Sequence, residues 1–176
     1  MRGPGNAKNH HSNLQISDEQ KHVVKKTWKL LSNDMAGHGS EVFLRIFQLY
    51  PHVKQLFPCR DAEGEELLHH PTFKGHASRF MQAVGAAVDN IDDLDEALRP
   101  LLIGLGRQHI HFKGFRPDYF NAFTESMMYV WQQELKEKFT DFAKEAWKTV
   151  FDFIMGTLKE GFFLALDEAG MTVDDV

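Results

Sequence analysis

The sequence predicts an all-α domain of six to eight helices. Apolar residues recur every three or four positions along most of the chain, which is the spacing that gives a helix one buried face. No segment shows the sustained alternation of apolar and polar residues that marks a half-buried strand. Pro51, Pro71 and Pro117 fall at junctions between periodic segments, where proline ends one helix or begins the next.

Length, composition and charge limit the class of protein. The 176 residues, 43% of them apolar, suit one domain with a sizeable core. No run approaches the roughly 18 apolar residues of a membrane span, and residues 1–16 lack the apolar run of a secretory signal. The formal net charge of −5 is not the strongly basic balance that predicts nucleic-acid binding. The lone Cys59 cannot form an intramolecular disulfide, and we expect a cytoplasmic protein.

The first half of the chain predicts two long helices behind a flexible N-terminal extension, residues 1–16. Ser17 with a glutamine three residues later has the pattern of a capping box, so a helix is expected over 18–32. A second helix is expected over 35–50, followed by a short helical corner. The charged segment 59–70 is expected to be irregular or weakly helical.

The second half predicts four further helices. One begins at Pro71, one ends near Lys113 and one begins at Pro117. The last is expected over 141–166. The resulting organisation is a domain over 17–168 with a polar C-terminal tail, 169–176.

Two of the ten histidines stand out because they lie on apolar helix faces. His76 comes three residues after Phe73 and four before Phe80, and His109 comes four after Leu105. Two imidazoles on the buried faces of different helices suit a metal held between them. Satisfied core histidines are the alternative. Similarly, the 15 phenylalanines predict either an aromatic core or a core that wraps a flat apolar group.

Other histidines and other chemistries are less informative. His111 is rotated by about 200° from His109 around a helix, so it cannot point into the same pocket. The sequence has no CxxC pair for structural zinc, no Gly-rich phosphate loop and no nucleophile elbow. The remaining histidines are expected at the surface or at helix caps, and they are His10, His11, His22, His38, His52, His69 and His70.

Three segments together resemble the globin family over residues 17–168. They are "AGHGSEVFLRIFQLYPHVKQLF", "HASRFM" and "LGRQHIHFKGFRPDYF", and their order and spacing are those of a globin. Within the family, "LFPCRD", "GHASRFM" and "LGRQHI" are most similar to the neuroglobin, cytoglobin and globin X group. The resemblance implies a globin fold of six to eight helices around a pocket for haem b, iron protoporphyrin IX.

The resemblance also implies roles for individual residues. His109 would be the proximal iron ligand, with its other ring nitrogen donating to the carbonyl of Leu105, and His76 would be the distal histidine. Arg79 and Lys113 would meet the haem propionates, or else be solvated basic residues. Six phenylalanines would line the porphyrin, or simply pack in the core: Phe43, Phe57, Phe80, Phe115, Phe120 and Phe123.

One departure from the family pattern bears on coordination. Phe80 stands at the distal position where many globins have valine, and with Phe43 it crowds the space for a gas ligand. We therefore expect His76 either to bind the iron itself, in a six-coordinate state, or to donate a hydrogen bond to bound O2.

The implied function is reversible binding of O2, CO and NO, for storage, transport or sensing. A haem redox protein is the alternative, acting in electron transfer, nitrite reduction or NO dioxygenation, so enzymatic activity stays open. A third possibility is a globin-like interaction module without haem. The sequence does not choose between a monomer and a dimer.

Overall fold

The computed structural model describes residues 15–176, and within that range the regular structure is entirely helical. It contains eight α-helices joined by turns and 3-10 segments, as predicted. None of these helices is long and apolar enough to cross a bilayer. The helices are α1 (Asp18–Leu31), α2 (Met35–Leu49), α3 (Pro51–Lys54), α4 (Gly64–His69), α5 (Pro71–Asp89), α6 (Leu94–Gln108), α7 (Tyr119–Leu135) and α8 (Asp141–Ala169).

Local sequence signals explain where several helices begin and end. The capping box predicted at Ser17 is present: its hydroxyl accepts from the Gln20 amide at 3.1 Å, and the Gln20 side chain accepts from the Ser17 amide at 2.9 Å. Thr140 caps α8 with its hydroxyl alone, which accepts from the Ala143 amide at 3.2 Å. Gly170 ends α8 with a φ of 64°, a left-handed conformation that favours glycine.

Several predicted boundaries differ from the structure. Residues 64–69, expected to be irregular or weakly helical, form α4. The helix expected to reach Lys113 ends at Gln108 and continues only as a 3-10 turn, because Gly114, with a φ of 89°, reverses the chain soon afterwards. Helix α7 begins two residues after Pro117, and α8 extends past its expected end at residue 166.

The segment expected to be a polar C-terminal tail, 169–176, folds back on the domain. The Gly114 amide donates to the Val176 carbonyl at 3.0 Å, and Arg116 forms an ion pair with Asp174 at 3.0 Å. The apolar side chain of Met171 packs against the core. Of the expected N-terminal extension, residues 1–14 lie outside the described range.

A tryptophan cluster joins α1, α7 and α8 in the core. The Trp147 ring packs at 6.2 Å from Trp28 and 5.7 Å from Trp131, measured between centroids. The Trp147 indole N–H donates to the Thr27 hydroxyl at 2.9 Å, so this buried polar pair is satisfied. The cluster fixes one end of α8 against α1.

Helices α6 and α8 cross in direct backbone contact. A Cβ atom on Gly106 would lie 2.0 Å from the carbonyl oxygen of Leu158, and one on Gly161 would lie 2.2 Å from that of Ile103. Both separations are too short for any side chain. The two glycines therefore let α6 lie against α8 at the level of the residues that precede His109.

We predict that Gly161→Ala lowers the free energy of unfolding by about 1–3 kcal/mol, because a backbone carbonyl must move to admit the methyl group. Gly156→Ala is the matched control on the same helix. Nothing lies within 4 Å of a Cβ at position 156, so helix propensity should stabilise that variant by up to about 1 kcal/mol. Urea unfolding measures both, and equal effects would contradict the proposed contact.

Candidate functional site

His109 stands at the point where α6 gives way to the 3-10 turn. Its Nδ1 lies 2.7 Å from the carbonyl oxygen of Leu105, one helical turn back. A carbonyl can only accept, so Nδ1 carries the proton and Nε2 keeps its lone pair. The hydrogen bond thus fixes both the ring orientation and the tautomer that a metal ligand requires.

Aromatic rings surround the His109 imidazole. Phe112, Phe115 and Phe120 lie 5.4, 4.9 and 5.0 Å from it between centroids. Burial lowers the pKa of His109, while its hydrogen bond to the Leu105 carbonyl raises it. Burial is the larger effect, so the neutral form is favoured.

His76 projects from α5 among the rings of α2 and the corner that follows α3. Phe43 and Phe57 lie 5.3 and 4.9 Å from it, both edge-on. Burial, the charge of Arg79 and the charge of His109 together lower the pKa of His76 to about 4. His76 is therefore neutral at physiological pH, and the two imidazoles are close enough to interact electrostatically.

Phe43 connects the rings on the His76 side. It is 1% exposed and lies 5.9 Å from Phe57, 5.8 Å from Phe80 and 5.3 Å from Phe123. Phe80 and Phe123 also contact each other at 5.4 Å. Unlike Phe43, these three neighbours are only half-buried. The distal cluster, which we define as His76 with Phe43, Phe57, Phe80 and Phe123, thus keeps one side partly open.

The six phenylalanines predicted to line the porphyrin fall into two groups. Four belong to the distal cluster. Phe115 and Phe120 instead pack around His109, and neither makes a described ring contact with the distal cluster. Arg79 and Lys113 are exposed, as the rim position expected of them requires. Sequence reasoning missed Phe162 of α8, whose ring lies 5.4 Å from Phe115. Its apolar stripe was visible, but its partner lies on a distant segment.

The residues of the site fit a planar apolar group that carries a metal. The donor set consists of two neutral imidazoles, one held by a backbone carbonyl. The half-buried aromatic side chains offer the flat apolar surface that a macrocycle buries. Leu105 is also half-buried, beside the carbonyl that orients His109.

Comparison with known proteins settles the family, because the globin family model matches residues 40–158. The chain belongs to the globin family. It is 30% identical to neuroglobin of Danio rerio, covering 84% of this chain and 93% of that protein, and 29% identical to neuroglobin of Tetraodon nigroviridis over the same shares. A hexacoordinated heme protein from an anhydrobiotic tardigrade, solved at pH 4, superposes with a TM-score of 0.78 at 26% identity. The superposition covers 85% of this globin and 97% of the tardigrade chain.

These findings confirm the predicted globin fold and the resemblance to neuroglobins. The remaining histidines are placed less uniformly than expected. His22, His52 and His69 are exposed, and His70 caps α5 by accepting from the amide two residues on. The surface or capping placement expected for His38 is wrong. Its side chain is only 12% exposed, since α2 turns it toward α7.

We predict that the haem-free globin loses stability as the pH falls from about 6.5 to about 4. The folded-state pKa of His76 lies below its ordinary value of 6.5, so in this window the unfolded chain binds more protons and low pH favours unfolding. Each such group contributes a slope of at most about 1.4 kcal/mol per pH unit. Urea unfolding across this window should show a shallower slope for His76→Leu. The exposed-site control His22→Leu should keep the wild-type slope, and an unchanged slope in His76→Leu would contradict the burial of a neutral imidazole.

Proposed function

We propose that this globin binds haem b, with iron held by His109 and with His76 facing it from the other side. The hydrogen bond from His109 Nδ1 to the Leu105 carbonyl, 2.7 Å long, carries the proposal. It leaves Nε2 unprotonated on a ring set among phenylalanines, which is the state of an axial imidazole ligand. The low pKa of His76 supports a second neutral imidazole on the distal side.

The haem iron supplies the position at which a diatomic gas coordinates. The protein's own contribution is to orient His109, to exclude water with the aromatic rings and to set the distal environment. Phe115 and Phe120 form the wall on the proximal side, and the distal cluster forms the other. Arg79 and Lys113, both exposed, are the cations that we assign to the propionates.

His76 is the distal ligand in this proposal, and it competes with gas for the iron. Phe43 and Phe80 occupy the space beside it, which leaves the imidazole better placed than a free gas molecule. The structural similarity to a hexacoordinated heme protein supports the same assignment. Off the metal, His76 would be placed to donate a hydrogen bond to a polar ligand only in the tautomer that carries the ring proton on the nitrogen facing that ligand.

Reversible binding of O2, CO and NO is therefore the function that the site supports best. Redox work at the same iron is the second candidate, because imidazole nitrogens can bind iron in either oxidation state. Cys59 is 2% exposed and burial raises the pKa of its thiol, which argues against a reactive role. A free thiol of this kind supports a cytoplasmic setting, which we include in the proposal.

We predict that His109→Ala abolishes or greatly weakens the Soret band of the purified protein, since the proximal ligand is lost. The matched control is His111→Ala, two residues along the chain and exposed, which should retain the wild-type band. Absorption spectra after haem titration measure both variants. Wild-type haem affinity in His109→Ala would overturn the proximal assignment, and no band in any variant would indicate an interaction module without haem.

The ferrous, ligand-free protein should give a sharp six-coordinate absorption spectrum, and His76→Leu should give a broad five-coordinate band. A five-coordinate band in the wild type would end the six-coordinate assignment.

Phe80→Val should raise the rate of CO binding, because it removes the ring that crowds the distal side. The lifetime of the oxygenated form, measured against autoxidation, separates storage or sensing from redox work.

A further inference from the structure

Three potential metal ligands meet where α2 packs against α7, apart from the residues assigned to haem. His38 and Glu41 come from α2, one turn apart, and Glu134 comes from α7. The His38 Nδ1 lies 3.8 Å from an Oε2 atom of each carboxylate. In residues 15–176 no other three histidine, cysteine or acidic side chains bring donor atoms within 4.8 Å of one another.

The Nδ1 atom of His38 makes no hydrogen bond in the structure. It is buried, and its distance of 3.8 Å to an oxygen of each carboxylate is too long for a hydrogen bond. A buried polar atom left in this state destabilises the fold, because it has given up its hydrogen bonds to water without replacing them. Something that accepts the nitrogen lone pair, and that also attracts carboxylates, would remove the cost.

The two carboxylates lack a fixed cation. Neither Glu41 nor Glu134 forms an ion pair with a lysine or arginine among the described residues. Burial raises the pKa of Glu41, and the facing Glu134 raises it further through its charge and a side-chain hydrogen bond, as does the charge of Asp34, while His38 lowers it. Arg45, one turn along α2 from Glu41, stacks instead on the Tyr129 ring, with its guanidinium carbon 3.9 Å from the ring centroid.

We propose that His38, Glu41 and Glu134 form a binding site for a divalent transition metal of the zinc class. Zinc binds imidazole nitrogen and carboxylate oxygen at about 2.0–2.2 Å, which places two ligands of a tetrahedral ion roughly 3.4 Å apart. The observed 3.8 Å separations need to close by only a few tenths of an ångström. Three protein ligands leave the fourth position to water, as in sites that stay open to solvent.

A protonated His38 bridging the two carboxylates is the competing explanation. Such an imidazolium would bring its N–H within hydrogen-bond distance of at least one oxygen, whereas both observed distances are 3.8 Å. The two explanations also predict different responses to zinc. If His38 is an imidazolium bridge, these three residues bind no zinc. If they form a metal site, the protein binds one equivalent of zinc there.

Isothermal titration of the full-length, haem-loaded protein with zinc chloride tests the proposal. The wild type should bind one equivalent that disappears, or weakens at least about tenfold, in Glu134→Gln and in His38→Gln. Glu137→Gln and His22→Gln make the same chemical changes at exposed positions, and both should bind zinc as the wild type does. Zinc should also raise the Tm of the wild type and leave that of Glu134→Gln unchanged, since a ligand stabilises only the state that binds it.

Two outcomes would overturn the proposal. One is unchanged zinc binding in both His38→Gln and Glu134→Gln. The other is that the single bound zinc ion is lost only in a double variant, His10→Ala with His11→Ala, which would assign zinc binding to the N-terminal histidines. Glu134 is exposed, so Glu134→Gln should fold even if His38→Gln does not. Soret absorbance is measured on the same samples, so failure of the haem proposal would be seen separately.

Discussion

The crossing of α6 and α8 in direct backbone contact determines where the His109 imidazole lies. Gly106 and Gly161 leave no room for side chains between the two backbones, so α6 has a single depth of approach to α8. That depth places both the Leu105 carbonyl, which accepts, and His109 Nδ1, which donates, in the hydrogen bond that sets the tautomer. A small displacement of α6 would therefore change both the position and the orientation of the His109 ring, the proposed metal ligand.

The site combines two imidazoles with surroundings that keep them neutral. Burial is the largest cause of the lowered pKa at both His76 and His109. The same aromatic rings that bury the histidines are those we propose as the apolar surface for the macrocycle, so in that proposal one set of residues serves metal binding and cofactor burial together. A metal ligand must be deprotonated, and a site that is already neutral releases no proton on binding.

The sequence predicted much of the fold because helical spacing, caps and prolines are local signals. The capping box at Ser17 and the start of α5 at Pro71 depend only on neighbouring residues. His76 and His109 were found because each shares an apolar stripe with its own helix. Burial of His38 and the contact of Phe162 with the proximal rings could not be found this way, because each depends on packing between helices distant in sequence.

The early end of α6 shows a second reason why sequence periodicity did not predict the whole fold. An apolar stripe continues to Phe112, so periodicity alone favours a longer helix, but Gly114 has a left-handed backbone and its amide donates to the Val176 carbonyl instead of continuing a helix. Periodicity carries no information about that long-range contact. The roles proposed for Arg79 and Lys113 could not be derived from the sequence pattern either, since the structure shows that both are exposed but their proposed partner is the cofactor.

The central place of Phe43 has a consequence for engineering. One ring contacts His76 and three other members of the distal cluster, so a substitution at any of these positions changes the packing seen by the rest. Energies of neighbouring substitutions that share a partner do not add, and coupling of about 0.5–3 kcal/mol is usual for residues in contact. Ligand selectivity in this pocket is thus a property of the five side chains as a unit, and libraries that vary them jointly will reach variants that stepwise single changes miss.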